Sequence, residues 1–193
     1  YVYLNPRMGG QIAVVESARN VVCSGGEPIA ITNCLNFGNP QDPEIYWQFK
    51  EAVTGIGEAC RSLNTPVTGG NVSFYNETDE LSIYPTPVIG MVGFLENIKQ
   101  NTSMEFKNNG DFIVTLGALN GSVGGSEYLR SIHNKIQGPI PHLNMELEIG
   151  VQEICLESIR KGIINSAHDL SDGGLAVNIS ESLVNSEPGL GTE

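Results

Sequence analysis

The sequence lacks the short motifs that mark the common nucleotide-binding and hydrolase folds. Its 193 residues contain no Walker A pattern, no Gly-x-Gly-x-x-Gly fingerprint and no Gly-x-Ser-x-Gly nucleophile elbow. If a nucleotide binds, another architecture must hold it, with backbone N–H groups, Mg²⁺ or a partner chain supplying the positive field.

Positive charge is scarce in this chain. Ten Lys and Arg residues stand against 22 Asp and Glu residues, which gives a formal net charge of −12. Such an acidic surface repels phosphate backbones and anionic lipids, so we expect neither nucleic acid nor a membrane surface as a partner. The sequence shows no apolar run of membrane-spanning length and no signal-peptide pattern, and we therefore expect a cytoplasmic location.

The four cysteines do not form a metal-binding or disulfide pattern. Their spacing is wide and irregular, without a Cys-x-x-Cys pair. We expect reduced, mostly buried thiols that pack as small apolar side chains. A hydrophobic content of 40% is enough to build a packed core.

Both ends of the sequence are typical of a cut within a longer protein. The chain begins with an apolar, strand-like run that has no Met, and it stops in a loop rich in Gly and Pro. We therefore expect a segment whose function is completed by other parts of the protein.

Hydrophobic periodicity predicts an α/β or α+β chain, because helical and strand-like segments alternate. The clearest helix follows Asp42, where an N-cap, a proline in the first turn and apolar residues at steps of three and four coincide. The predicted helices are residues 11–23, 43–63, 126–132, 145–161 and 174–183, and the predicted strands are 28–32, 66–68, 88–94, 111–116 and 163–166.

A polar, Asn-rich stretch at residues 96–110 separates two predicted units. Stretches of this composition often connect domains. We place the first domain at residues 1–105 and the second at residues 106–193.

The strongest candidate site is the run Thr-Gly-Gly-Asn-Val-Ser at residues 68–73, directly after a predicted strand. The two glycines let the backbone approach a phosphate group. Asn71 offers an oxygen that suits Mg²⁺, and Ser73 places a hydroxyl on the same side. A tight hairpin turn with a polar tip is the competing interpretation, and the residues alone favour it because Gly-Gly-Asn is common in turns.

A second cluster, Ser-Ala-His-Asp-Leu-Ser-Asp-Gly-Gly at residues 166–174, joins a predicted strand to the last predicted helix. Asp169 and Asp172 can bind a metal ion, and His168 is a candidate general base without an evident nucleophile. The same residues also suit a loop in which Ser171 or Asp172 caps the helix. The residues leave both interpretations open.

Three further polar residues lie where a ligand could be bound. Glu16 and Asn20 are four residues apart, so they share one face of the first helix and are able to share one Mg²⁺ ion. A solvated helix face is the commoner explanation of such a pair. Asn33 is the first polar side chain after the strand predicted at 28–32, and ligand sites of open sheets tend to lie at such positions.

Five stretches, taken together and in order, resemble the phosphoribosylformylglycinamidine synthase family, the ATP-dependent amidotransferases of purine biosynthesis. They include Asn-Cys-Leu-Asn-Phe-Gly-Asn-Pro and Gly-Gly-Asn-Val-Ser-Phe-Tyr-Asn-Glu. The stretches are residues 5–20, 33–40, 65–77, 84–90 and 167–175. The resemblance implies a segment of the C-terminal half of the synthetase subunit. Its fold would be an aminoimidazole ribonucleotide synthetase-like, barrel-forming N-terminal-type domain, the second copy in the full protein, followed by the start of an α/β C-terminal-type domain.

The resemblance also implies an activity and partners. The family is a ligase that uses ATP and Mg²⁺ to convert formylglycinamide ribonucleotide and glutamine-derived ammonia to the amidine. The implied partners are the N-terminal half of the same protein, a glutaminase subunit and a small bridging subunit, with a homodimer through the barrel seam as another assembly. Alternative functions are a structural module that holds a nucleotide without turnover, and a related ATP-using synthetase of the same fold.

Roles for individual residues follow from the same resemblance. The implied ATP contacts are Asn33, where the family commonly has Asp, and Gly70; Asn71 is the implied Mg²⁺ ligand and Ser73 the implied substrate contact. An auxiliary nucleotide and metal site is implied at Glu16, Asn20, Asp169 and Ser171. The family's catalytic residues have no counterpart in this chain, so we expect the isolated chain to lack synthase activity.

Overall fold

The computed structural model describes residues 1–79, 81–119 and 121–192, which form helices around one small sheet. The helices are α1 Pro6–Cys23, α2 Pro43–Leu63, α3 Glu127–His133, α4 Met145–Arg160 and α5 Gly174–Val184. The strands are β1 Glu27–Asn36, β2 Val67–Ser73 and β3 Thr86–Phe94, and a 3₁₀ turn spans Ile98–Gln100. No helix among the described residues combines the length and the apolar character needed to cross a bilayer.

Helix α1 begins five residues before its predicted start. The Asn5 side chain accepts a hydrogen bond from the Met8 N–H at 3.1 Å, and Pro6 occupies the first turn. Gly9 and Gly10 lie within this helix, at positions where other backbone segments come too close for a larger side chain. A Cβ atom on Gly10 would lie 2.6 Å from the Ala52 carbonyl oxygen.

Helix α2 was predicted at residues 43–63, and the structure confirms both ends. The Asp42 side chain accepts a hydrogen bond from the Glu44 N–H at 2.8 Å. The helix ends at Leu63, and its C-cap Asn64 adopts the left-handed conformation with φ of 55°.

The sheet has the order β2-β1-β3, with β1 parallel to β2 and antiparallel to β3. One face packs against the helices and forms the core. The other face leaves apolar side chains about half exposed, and they include Val88, Val92 and Phe94 of β3. The buried core comprises Val14, Ile31, Leu35, Phe37, Ala52, Ile56, Ala59 and Cys60.

The second part of the chain is helical where it is regular. Helix α4 packs on α1 through a small cluster of Val22, Cys155, Leu156 and Ile159. All four cysteines are free thiols, and two of them, Cys60 and Cys155, are buried.

The strands predicted at residues 111–116 and 163–166 are wrong for this structure, which has no strand there. Phe112 is 95% exposed and Val114 is 71% exposed. A strand needs a neighbour for its backbone hydrogen bonds, and no described segment pairs with either run. Apolar composition alone therefore did not produce a strand.

Candidate functional site

The glycine-rich run at residues 68–73 belongs to a strand and not to a turn. Strand β2 extends through it to Ser73, and it pairs in parallel with β1, with Asn33 opposite Gly70 and Asn36 opposite Ser73. The hairpin-turn interpretation is therefore wrong. The predictions for β1 and β2 were too short for the same reason: each polar run finds its backbone partners in the other strand.

Asn33 and Gly70, the two predicted ATP contacts, lie side by side on β1 and β2. A Cβ atom on Gly70 would overlap the backbone carbonyl and the side-chain oxygen of Asn33. The φ angle of Gly70 is +153°, a conformation that other residues rarely adopt. Only glycine fits this close approach.

Asn71 and Ser73 are two residues apart on β2, so their side chains point to the same side of the strand. Asn71 is exposed, and its side chain makes no hydrogen bond among the described residues. Its carboxamide oxygen is therefore available to a hard cation such as Mg²⁺, and the chemistry of this donor fits that ion. Ser73 is half-buried.

Asn76 supports the end of β2, and sequence analysis assigned it no role. Its Nδ2 donates to the carbonyl oxygens of Phe37 and Ser73, both at 2.9 Å, and its Oδ1 accepts from the Ser73 hydroxyl at 3.1 Å. The preceding Tyr75 has φ of +59°, which is unusual for a residue other than glycine. A polar residue three positions after the candidate serine was the available sequence signal.

Two residues of the predicted auxiliary site, Glu16 and Asp169, lie near Asp172, and we call these three residues the acidic corner. Asp169 is 6% exposed, and its Oδ2 is buried without a hydrogen-bond partner among the described residues. Its Oδ1 lies 3.4 Å from His168 Nδ1, and His168 Nε2 lies 2.9 Å from Glu181 Oε2. The candidate general base thus lies between two carboxylates.

The negative charges of the acidic corner act on one another. Burial raises the pKa of Glu16, and the charges of Asp169 and Asp172 raise it further, while Arg19 opposes the shift. Burial also raises the pKa of the Tyr1 phenol, and Asp172 and Glu16 add to that increase. The sequence-distant residues of the predicted site are therefore neighbours in the fold.

Two members of the predicted auxiliary site lie at its edge. Asn20 is exposed, and its Nδ2 donates to the Glu16 carbonyl oxygen at 3.0 Å, so it shares the helix face with Glu16 as predicted. Ser171 is exposed. The capping interpretation of Ser171 and Asp172 is wrong, because Gly173, with φ of 82° and no side-chain bond, is the N-cap of α5.

The acidic corner suits Mg²⁺ by its chemistry, although it is not a complete cage. Within the described ranges, no three His, Cys, Asp or Glu side chains converge as metal ligands. The carboxylates of Glu16 and Asp169 and the carboxamide of Asn20 are nevertheless oxygen donors of the kind Mg²⁺ takes, with water and phosphate completing the shell. A cation would also satisfy the buried Oδ2 of Asp169.

The two candidate sites are separate. A cleft of about 1340 Å³ lies between α1, α4 and the loop before α5, and Glu16, Asp169 and Ser171 line it. The four residues predicted for the ATP, Mg²⁺ and substrate site on β1 and β2 are not part of that lining.

Comparison with known proteins finds two matching family models and relatives that include PurL proteins. Residues 1–95 match the N-terminal domain of AIR synthase related protein, and residues 108–190 match its C-terminal domain. The chain is 58% identical over 181 residues to the phosphoribosylformylglycinamidine synthase subunit PurL of Alkaliphilus metalliredigens (strain QYMF). The aligned stretch covers 94% of this chain and 24% of that protein. The chain thus spans about a quarter of the length of this curated relative.

Solved structures of Thermotoga maritima PurL are also similar. The complex with FGAR covers 92% of this chain and 25% of that chain at 24% identity, with a TM-score of 0.58, which shows the fold. The match to the complex with ATP spans 52% of this chain and 17% of that chain at 36% identity, with a TM-score of 0.49. The predicted fold class is confirmed, and the chain belongs to the AIR synthase related family, as a segment of the phosphoribosylformylglycinamidine synthase type.

Proposed function

We propose that this chain is part of a cytoplasmic ligase of purine biosynthesis that converts formylglycinamide ribonucleotide and ammonia to the amidine with consumption of ATP. The observation that carries the proposal is the 58% identity to a curated PurL subunit across 94% of the chain. The ordered motifs at residues 33–40 and 65–77 belong to the same stretch of similarity.

In this proposal, the ends of β1 and β2 bind and orient the reactants. Asn33 and Gly70 contact ATP, Asn71 binds Mg²⁺, and Ser73 contacts the substrate. Bound ATP and Mg²⁺ supply the phosphoryl group that activates the formamide oxygen and the charge that stabilises its transfer. The close approach of Gly70 to Asn33 supports a shared site, because it places the two proposed ATP contacts side by side.

The remaining parts of the machinery are proposed to come from other polypeptide segments. The N-terminal half of the same protein supplies the catalytic group, and a glutaminase subunit and a small bridging subunit deliver ammonia. Two observations support such assembly: β2 is an edge strand, and the outer face of the sheet exposes apolar side chains.

The test is ATP-dependent amidine formation by the intact protein that contains this chain, with ammonia as the nitrogen source. We expect turnover by the intact protein and none by the isolated chain. Asn71→Ala should lower kcat/KM by about 100-fold, since a metal ligand stabilises the transferred charge. Asn101→Ala, which changes an exposed asparagine outside both sites, is the matched control. Turnover by the isolated chain, or none by the intact protein, would contradict the proposal.

A second candidate function is a structural nucleotide site at the acidic corner. The buried, unpartnered Oδ2 of Asp169 and the raised pKa of Glu16 favour it, because both are relieved by a bound cation. Calorimetry with ATP and Mg²⁺ on the intact protein separates the two functions. Loss of binding with Asp169→Ala but not with Asn71→Ala would favour the structural site.

A further inference from the structure

The Ser73 hydroxyl is held by Asn76, a residue to which the proposed function assigns no role. Ser73 is half-buried at the end of β2, and its Oγ lies 3.1 Å from Asn76 Oδ1. The Asn76 carboxamide fills the corner where β1 and β2 end, with Nδ2 2.9 Å from the carbonyl oxygens of both Phe37 and Ser73.

The orientation of the Asn76 carboxamide follows from its neighbours. A carboxamide has an NH₂ group with two donors and an oxygen that only accepts. The terminal atom that meets two carbonyl oxygens must be the nitrogen, because an oxygen there would face two acceptors. Asn76 Oδ1 therefore faces Ser73, and the single hydroxyl proton of Ser73 must be donated to it.

A serine hydroxyl has one proton and two lone pairs, so a committed proton leaves Ser73 only lone pairs to offer a ligand. We propose that Ser73 recognises a hydrogen-bond donor of the substrate, an amide N–H or a ribose hydroxyl, and that Asn76 is the positioning residue that enforces this choice. A phosphate or carbonyl oxygen of a ligand would face the lone pairs of Ser73 Oγ and find no proton to accept, so its binding there is disfavoured. This inference rests on the proposed function for the place of Ser73 in the substrate site.

The corner is built so that Asn76 can be replaced without loss of the fold. The Phe37 carbonyl oxygen also accepts the Asn76 backbone N–H at 3.2 Å, and the Ser73 carbonyl oxygen also accepts the Phe37 N–H at 3.0 Å. Each carbonyl therefore keeps a hydrogen bond in Asn76→Ala. The backbone of Asn76 is held further by the Ile83 N–H, which donates to its carbonyl oxygen at 3.0 Å.

The first measurement is the dissociation constant of formylglycinamide ribonucleotide and its analogues for the intact protein and for Ser73→Ala. The analogues lack one group each: an amide proton replaced by methyl, the 2′-hydroxyl, the 3′-hydroxyl or the 5′-phosphate. An analogue that lacks the donor group facing Ser73 should bind the unsubstituted protein about tenfold more weakly than the substrate does. In Ser73→Ala, the same analogue and the substrate should bind with similar affinity. The analogue with that behaviour identifies whether the donor is the amide or a hydroxyl.

The second measurement tests Asn76 through a ratio of affinities. An analogue with an ester oxygen in place of the amide N–H, or with a ring-bound methoxy group in place of the hydroxyl, presents an acceptor to Ser73. We expect the intact protein to bind the relevant analogue about 30-fold less tightly than the substrate, and Asn76→Ala to discriminate only about threefold, because the freed proton can turn to the ligand. A merely structural role of Asn76 would weaken both ligands equally and leave the ratio unchanged.

The control is Tyr75→Asn, which changes an exposed neighbour to a residue that tolerates positive φ and should keep the ratio of the intact protein. If removal of the 5′-phosphate is what abolishes the effect of Ser73→Ala, Ser73 donates to phosphate and the inference is overturned while the proposed function stands. An unchanged ratio in Asn76→Ala also overturns it. If Ser73→Ala alters the affinity of no ligand, the place of Ser73 in the substrate site fails, and the inference fails with it.

Discussion

Gly70 and Gly69 are neighbours on β2, and their replacement by Ala should change the stability of the protein to very different extents. A Cβ on Gly70 overlaps Asn33, whereas a Cβ on Gly69 meets no atom within 4 Å. We expect Gly70→Ala to destabilise the protein by about 1–3 kcal/mol, because β2 must move away from β1 or adopt a strained φ. Gly69→Ala should stay within about 0.5 kcal/mol of the parent.

Urea unfolding and ATP titration of the two glycine variants check this prediction. Gly70→Ala should also weaken ATP binding by the intact protein, since the site depends on the spacing of the strands. Equal stability of the two variants would contradict the close approach of Gly70 to Asn33.

At the scale of elements, Gly10 lies at the contact between α1 and α2, whereas a Cβ atom on Gly57 of α2 would meet only its own helix. Gly10→Ala should cost about 1–3 kcal/mol, because its Cβ would lie 2.6 Å from the Ala52 carbonyl oxygen. Gly57→Ala, within α2, meets only the flexible end of Arg61 at 3.3 Å and should stabilise the helix by about 0.5–1 kcal/mol. Thermal unfolding of both variants measures the difference, and a stabilising Gly10→Ala would refute the packing.

The same two helices are joined by an ion pair that depends on pH. Arg7 Nε donates to Glu58 at 3.0 Å, and this contact holds the pKa of Glu58 below its ordinary value. A lowered carboxyl pKa gives a stabilisation that is present at neutral pH and is lost as pH falls through roughly 4 and below. The pair is largely exposed, so Glu58→Gln should cost less than about 1 kcal/mol at pH 7.

Unfolding curves of Glu58→Gln and the parent chain between pH 3 and pH 7 test the ion pair. The two stabilities should converge as pH falls, whereas a constant difference across this range would assign the effect of the substitution to packing. Arg7→Met should reproduce the behaviour of Glu58→Gln, because either change removes the pair.

Elements were predictable from the sequence to different degrees. Helices α2, α3 and α5 lie close to their predicted bounds because capping and periodicity are local properties. The strands β1 and β2 were predicted too short, since Asn33 and Asn71 are polar and their extended backbone depends on a partner 37 or so residues away. The domain boundary between residues 105 and 106 stays a prediction.

At the scale of the whole molecule, a largely buried ion pair joins the first part of the chain to α4. Arg19 Nη1 donates to Glu148 at 3.1 Å, and both side chains are at least three-quarters buried. Gln152 extends the contact by donating to Glu148 at 3.0 Å. Removal of either charged partner should cost about 1–3 kcal/mol, because the other charge is left largely buried without an opposite charge.

A double-mutant cycle of Arg19→Met and Glu148→Gln measures this coupling between the two parts. The double variant should be more stable than the sum of the single losses predicts, by about 1 kcal/mol or more. Additive losses would show that the two side chains do not stabilise each other across the contact.

The sequence by itself determined the fold class, the main helices and the family, because these follow from local periodicity, caps and ordered motifs. Only the tertiary structure decided that residues 68–73 form a strand, that Gly70 lies against Asn33 and that Asn76 holds Ser73. The physical reason is the same in each case. Strand pairing, burial and hydrogen bonding between distant residues depend on which segments meet, and no local pattern encodes that meeting.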